Sequence, residues 1–150
     1  MQLADPEQQV PVSLTSIFPI VASKRRSVTI LLVEDERFVR DIASEILCSA
    51  GYGVLQARNA AEALRIFHGH PEDVQLLLTD VVLPDRNGCD LACEVLNLIG
   101  GLKVIFVSGY AENCVTRGGL QHPGWSYLPK PFSAAALLQM VKKVMNAVSL

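Results

Sequence analysis

The chain has 150 residues, about half of them hydrophobic, and a formal net charge of −2. That length fits one ordinary domain with a sizeable core. The near-neutral charge argues against a nucleic-acid platform, because phosphate binding needs an excess of Lys and Arg on one face.

Met1 to Ser27 contains Asp5, Pro6, Pro11 and Pro19, has no sustained period and ends in the basic cluster Lys24, Arg25, Arg26. It reads as a tail or interdomain linker (residues 1–27), with Ser16 to Ala22 apolar enough to dock on a partner or on the domain. It does not read as a signal peptide, because acids come first, prolines interrupt the apolar stretch and the basic residues follow it. No run approaches the length of a membrane span. The expected location is therefore cytoplasmic. Cys48, Cys89, Cys93 and Cys114 form no CxxC pair and no zinc spacing. The expectation is small buried apolar side chains with reduced thiols.

The domain is expected over residues 28–150. Val28 to Val33 (VTILLV) reads as a buried strand that ends abruptly in Glu34, Asp35 and Glu36. Phe38, Val39, Ile42, Ala43, Ile46 and Leu47 recur at helical spacing, and Gly51 supplies the stop. Gly53 to Ala57 is a second strand. Asn59, followed three residues later by Glu62, starts a helix in the manner of a capping box, and Ala63, Leu64 and Phe67 form its apolar face. Gly69 to Pro71 ends it, and Val74 to Thr79 is the third strand. In the stretch LLLTDVVLPDRNG (76–88) that strand arrives at Asp80, and Pro84, Asp85, Asn87 and Gly88 supply loop and turn chemistry.

Leu91, Ala92, Val95, Leu96 and Ile99 mark a third helix, closed by Gly100 and Gly101. Leu102 to Val107 is the fourth strand. Ala111 to Arg117 is a poor helix, because Val115 and Thr116 are β-branched and two glycines follow. Trp125 to Leu128 is the fifth strand. Ser133 caps a last helix whose face is Leu137, Leu138, Val141, Val144, Met145 and Val148. Five strands alternating with five helices over short connections predict an α/β fold, a doubly wound parallel sheet with helices on both sides.

Ligands bind at the carboxyl ends of strands in an open parallel sheet. Strand one delivers Glu34 and Asp35, strand three Asp80 and strand four Ser108, and Lys130 lies just past strand five. Taken alone, Asp80 reads first as a strand-end group accepting backbone hydrogen bonds. In company it reads as an oxygen nucleophile. Three acids held close repel, and a divalent cation with oxygen ligands, Mg²⁺ in character, relieves that. Lys130 adds a point charge for a phosphoryl oxygen and Ser108 a donor. This is equipment for phosphoryl transfer, which asks the protein mainly for alignment and charge neutralisation.

The motifs LLVEDE, LLLTDVVLPDRNG, VSGYAE and YLPKPF resemble those of the response-regulator receiver domain of two-component signalling, from about Val28 to Val148. The resemblance implies a flavodoxin-like five-stranded sheet of order 2-1-3-4-5. By position, it implies Asp80 as phosphoacceptor, Asp35 as a direct Mg²⁺ ligand, Glu34 acting through water and the Val82 carbonyl as a further ligand. Ser108 is the implied switch hydroxyl, Lys130 the phosphate-binding lysine and Tyr127 the switch aromatic, with a cis Lys130–Pro131 bond. The acidic pair is Glu-Asp rather than Asp-Asp and the hydroxyl is Ser rather than Thr; neither change removes a needed group. The implied partner is a histidine kinase or a histidine phosphotransfer protein, with no nucleic acid and no membrane.

The chain is not expected to be an enzyme beyond its own phosphoryl transfer. The rival enzyme, a haloacid-dehalogenase-like phosphatase, needs its nucleophile after strand one, and a flavin module needs a Gly/Ser/Thr phosphate cradle after Val33. A degenerate docking receiver would lack some of the five groups. With so little sequence after the last helix, no attached DNA-binding domain is expected. The expectation is therefore a single-domain regulator or, preferred, the receiver piece of a hybrid kinase. His68, His70 and His122 are expected to be surface residues. Val82 and Tyr110 flank the expected path of an attacking water and neither is a general base, so slow self-hydrolysis is expected.

Overall fold

A computed structural model describes residues 28–109 and 124–147. Five strands run β1 (Thr29–Val33), β2 (Gly53–Ala57), β3 (Val74–Asp80), β4 (Lys103–Ser108) and β5 (Trp125–Pro129). All neighbours pair in parallel, in the order β2-β1-β3-β4-β5. Four helices are present among the described residues: α1 (Arg37–Ser49), α2 (Ala60–Gly69), α3 (Gly88–Leu98) and α4 (Ala134–Asn146). The helix expected at Ala111–Arg117 lies outside the described residues, as do Tyr110, Cys114 and His122.

The apolar runs form strands because both faces of the sheet are covered. Along β1, Leu31 and Val33 enter a core with Phe67, Leu91 and Val95 of α2 and α3. Ile30 and Leu32 enter the opposite core with Leu47, Leu137 and Val141 of α1 and α4. The same alternation runs through β3 and β4, where Leu77, Val104 and Phe106 face one core and Leu76, Leu78, Ile105 and Val107 the other. A one-residue slip would therefore exchange the two cores completely. Every strand points its carboxyl end toward the same edge, so the groups at Val33, Asp80, Ser108 and Pro129 gather there.

Local signals in the sequence account for the helix ends. Asn59 accepts from Glu62 N at 2.8 Å, and the Glu62 carboxylate reaches back to Arg58 N, one residue before the cap. Ser133 accepts from Ala136 N at 3.0 Å. Gly51 follows α1 with φ +98°, where a side chain would be strained.

The cysteines depart from expectation. Cys48 and Cys93 are exposed free thiols, because each falls on the outer side of its helix, beside the buried Leu47 and Ala92 respectively. Cys89 is buried but disulfide-bonded rather than reduced. His68 and His70 are exposed, as expected.

Candidate functional site

Asp80 is the last residue of β3, and Glu34 directly follows β1, the neighbouring strand. Both carboxylates are buried, while Asp35 beside them is exposed. One oxygen from each of Glu34, Asp35 and Asp80 lies within 4.8 Å of the others. Lys130 follows β5 and reaches back across the edge. Its Nζ donates to Glu34 Oε1 at 2.9 Å and lies 3.1 Å from both Asp80 oxygens. The second Glu34 oxygen accepts from Glu36 N at 3.0 Å, and its carbonyl accepts from Arg40 at 2.8 Å. Glu34 is thus held from several sides, and Asp35 is left free to face solvent.

Charge in this pocket is only partly balanced. Burial, then the Glu34 charge, push the Asp80 carboxyl from 3.8 up to about 7, and Lys130 offsets part of the rise. For Lys130, burial opposes the charged form. Hydrogen bonds to Glu34 and Asp80, with their charges, outweigh it and hold the ammonium above the usual lysine value. Three acids facing one lysine leave excess negative charge when all are ionised. Hard oxygen donors, this spacing and an exposed Asp35 fit a cation that keeps some of its water. The acidic pocket has the donor set to hold a metal ion.

The remaining predicted residues sit around this cluster. Ser108 ends β4 and is buried, and its carbonyl accepts from Lys130 N at 2.9 Å and from the Tyr127 hydroxyl at 2.7 Å. One carbonyl therefore anchors both the lysine and the aromatic. Tyr127 is half-buried with its hydroxyl turned inward. The Lys130–Pro131 bond is cis, as the motif implied. Val82 exposes its side chain, is flanked by buried Val81 and Leu83, and bridges to Asn87 across the loop.

Two residues in that loop carry more than turn chemistry. Gly88 donates to Val81 O at 2.6 Å, and a Cβ there would overlap the Asp80 carbonyl oxygen. The sequence marks Gly88 as a turn residue, and only the tertiary approach of the Asp80 carbonyl shows that a glycine is required there. Asp85 accepts from Ala60 N at 2.9 Å and Ala61 N at 2.8 Å, the first amides of α2. Burial opposes its charge, but hydrogen bonds from these amides and from its own, with the Arg86 charge, together outweigh it and hold the carboxyl below the usual value. Sequence spacing carries no sign of that contact, which joins residues 25 apart.

Comparison with known proteins agrees with this geometry. The Response regulator receiver domain family matches residues 30–142. The sensor kinase CckA of Brucella abortus is 40% identical over 120 residues, covering 80% of this chain but only 13% of that protein. The response regulator receiver protein CpdR of the same organism is 31% identical over 118 residues, covering 79% of this chain and 97% of CpdR. The crystal structure of the receiver domain from hybrid histidine kinase CckA superposes with a TM-score of 0.68 at 34% identity, covering 79% of this chain and 99% of that one. The family profile and the near-complete coverage of CpdR converge on one assignment: the chain belongs to the response regulator receiver domain family, the phosphorelay receivers of two-component signalling.

Proposed function

We propose that Asp80 is the phosphoacceptor of this receiver, taking a phosphoryl group from a phosphohistidine on a histidine kinase or phosphotransfer protein. An Asp80 oxygen attacks phosphorus, the P–N bond breaks, and the imidazole leaves with the electron pair. The observation that carries the reading is the Lys130 ammonium bonded at once to Glu34 and Asp80. It lies beside the oxygens on which charge changes during transfer, where a fixed cation would neutralise a phosphoryl oxygen. Mg²⁺ would suit this oxygen-donor set, with Asp35 and Asp80 as its direct ligands, Glu34 acting through water and the Val82 carbonyl completing the protein set. When bound, it would supply charge neutralisation of the transferring group.

Ser108 would then donate to a phosphoryl oxygen, and Tyr127, already bonded to the Ser108 carbonyl, would report its movement. The chemistry stays on the protein itself, so the chain acts as a signalling relay rather than a turnover enzyme. Its place in a hybrid-kinase relay rests on the similarity to the CckA receiver. The receiver unit is proposed over residues 28–150, with 1–27 as tail or linker and a cytoplasmic setting. No helix among the described residues is long and apolar enough to cross a membrane.

Exposure to a small phosphodonor with Mg²⁺ tests this. Intact mass should show one phosphoryl adduct, absent in Asp80→Asn and abolished by chelation. An adduct that survives Asp80→Asn would overturn the assignment.

A further inference from the structure

The acids of the pocket come from two loops, the one after β1 and the one after β3. Like charges at this spacing push those loops apart, so something must hold them at a fixed separation. Part of the restraint is Lys130. The pairing of β1 with β3 holds the strand ends beneath them, and above the sheet a further restraint runs through a third loop, the one joining β2 to α2. The strand end that feeds it is bonded to the β1 side, because Glu34 N donates to the carbonyl of Ala57, the last residue of β2, at 3.0 Å. Three residues further on, Ala60 N and Ala61 N donate to the two oxygens of Asp85, in the loop that leaves Asp80. Glu34, Ala57, the start of α2, Asp85, Asp80 and Lys130 thus form a closed ring of bonds around the pocket.

From this ring we infer that Asp85 is a positioning residue, which sets the separation of the two acid-bearing loops and so the affinity of the pocket for a divalent cation. The inference rests on the reading of the pocket as a cation site. Val82 strengthens it, because its side chain is largely exposed and gives that residue little packing of its own. Its backbone is oriented by buried neighbours on either side, by the bridge to Asn87 and by the Asp85 anchor three residues on. A carboxylate suits the anchor role, because both oxygens are used and the N-terminus of α2 favours negative charge. Asparagine would offer one acceptor and no charge.

The alternative is that Asp85 merely caps α2. A control on the same helix end separates the two. Asn59 accepts from Glu62 N at 2.8 Å, so Asn59→Ala removes an α2 cap while leaving the Asp80 loop untied to the change. The measurement is Mg²⁺ affinity by calorimetry on the full chain, with urea stability alongside. Losing a cap costs about 1 kcal/mol, or roughly fivefold in an equilibrium constant. Asp85→Ala should therefore weaken Mg²⁺ binding about fivefold, with Asp85→Asn falling between it and the parent. Asn59→Ala should lower stability comparably and leave Mg²⁺ affinity within about twofold. Equal losses of affinity in Asp85→Ala and Asn59→Ala, or unchanged affinity in Asp85→Ala beside a parent that binds, would overturn the tie alone. A parent that binds no Mg²⁺ would overturn the pocket reading and the tie with it.

Discussion

Replacing Asp80 by asparagine should make the cation-free protein more stable at neutral and alkaline pH. The residue is 8% exposed, and its carboxyl is pushed from 3.8 to about 7 by burial and by Glu34. Below pH 3.8 it is protonated in folded and unfolded chains alike, so it imposes no cost. Between there and about 7 the unfolded chain ionises while the folded chain keeps the proton, and stability falls as pH rises. Above about 7 the loss is complete and level. The full shift corresponds to roughly 4 kcal/mol at about 1.36 kcal/mol per pH unit. Solvent at the pocket mouth, where Asp35 is exposed, screens this to about 2 kcal/mol. Urea unfolding at pH 5, 6, 7 and 8 in chelator reads it, and with a slope of about 2 kcal/mol/M the midpoints should separate by about 1 M at pH 8. Parent and Asp80→Asn should draw together toward pH 5, and Mg²⁺ should narrow the gap at pH 8. Midpoints that stay parallel across the range would refute the buried, repelled carboxylate.

Lys130→Met leaves Glu34 and Asp80 without their shared cation. Breaking a buried pair costs about 3–5 kcal/mol, and because the Lys130 side chain is 26% exposed the loss at pH 8 without Mg²⁺ should be about 1–3 kcal/mol; unfolding curves measure it, and phosphorylation by a small donor should slow in parallel. Gly88→Ala forces a methyl group against the Asp80 carbonyl oxygen, a backbone atom that cannot swing away. It should cost about 1–3 kcal/mol in urea unfolding and also slow phosphorylation. Tyr127→Phe removes a half-buried hydrogen bond to the Ser108 carbonyl, for a loss of about 1 kcal/mol. Val82→Asn places a polar side chain two residues after Asp80 and should speed loss of the phosphoryl adduct, followed by intact mass over time. An unchanged decay rate would remove Val82 from the water path.

The pattern of strands was legible because each fully buried strand is a short apolar run with its polar group at the end. LLLTD in β3 and VTILLVED around β1 mark Asp80 and the Glu34–Asp35 pair in the sequence itself. Ser133 and Asn59 were legible as caps for the same reason, since their partners lie three residues away. Tertiary contacts were not. Asp85 read as a turn residue, because its partners belong to a helix that only the folded β2–α2 connection brings near. Gly88 read as a turn glycine, although the demand on it comes from the Asp80 carbonyl oxygen. The burial expected for Cys48 and Cys93 failed on helical phase. In α3 the buried set is Gly88, Cys89, Leu91, Ala92 and Val95, and Cys93 falls outside that arc.

The central claim concerns which carboxylate bonds to phosphorus, and Glu34, Asp35 and Asp85 are all within the same few loops. Borohydride reduction of the freshly phosphorylated, unsubstituted chain converts an aspartyl phosphate to homoserine and marks its position for peptide mass analysis. The account predicts homoserine at position 80 and nowhere else. Reduction at any other acid, or a phosphorylated chain with residue 80 intact, would contradict it.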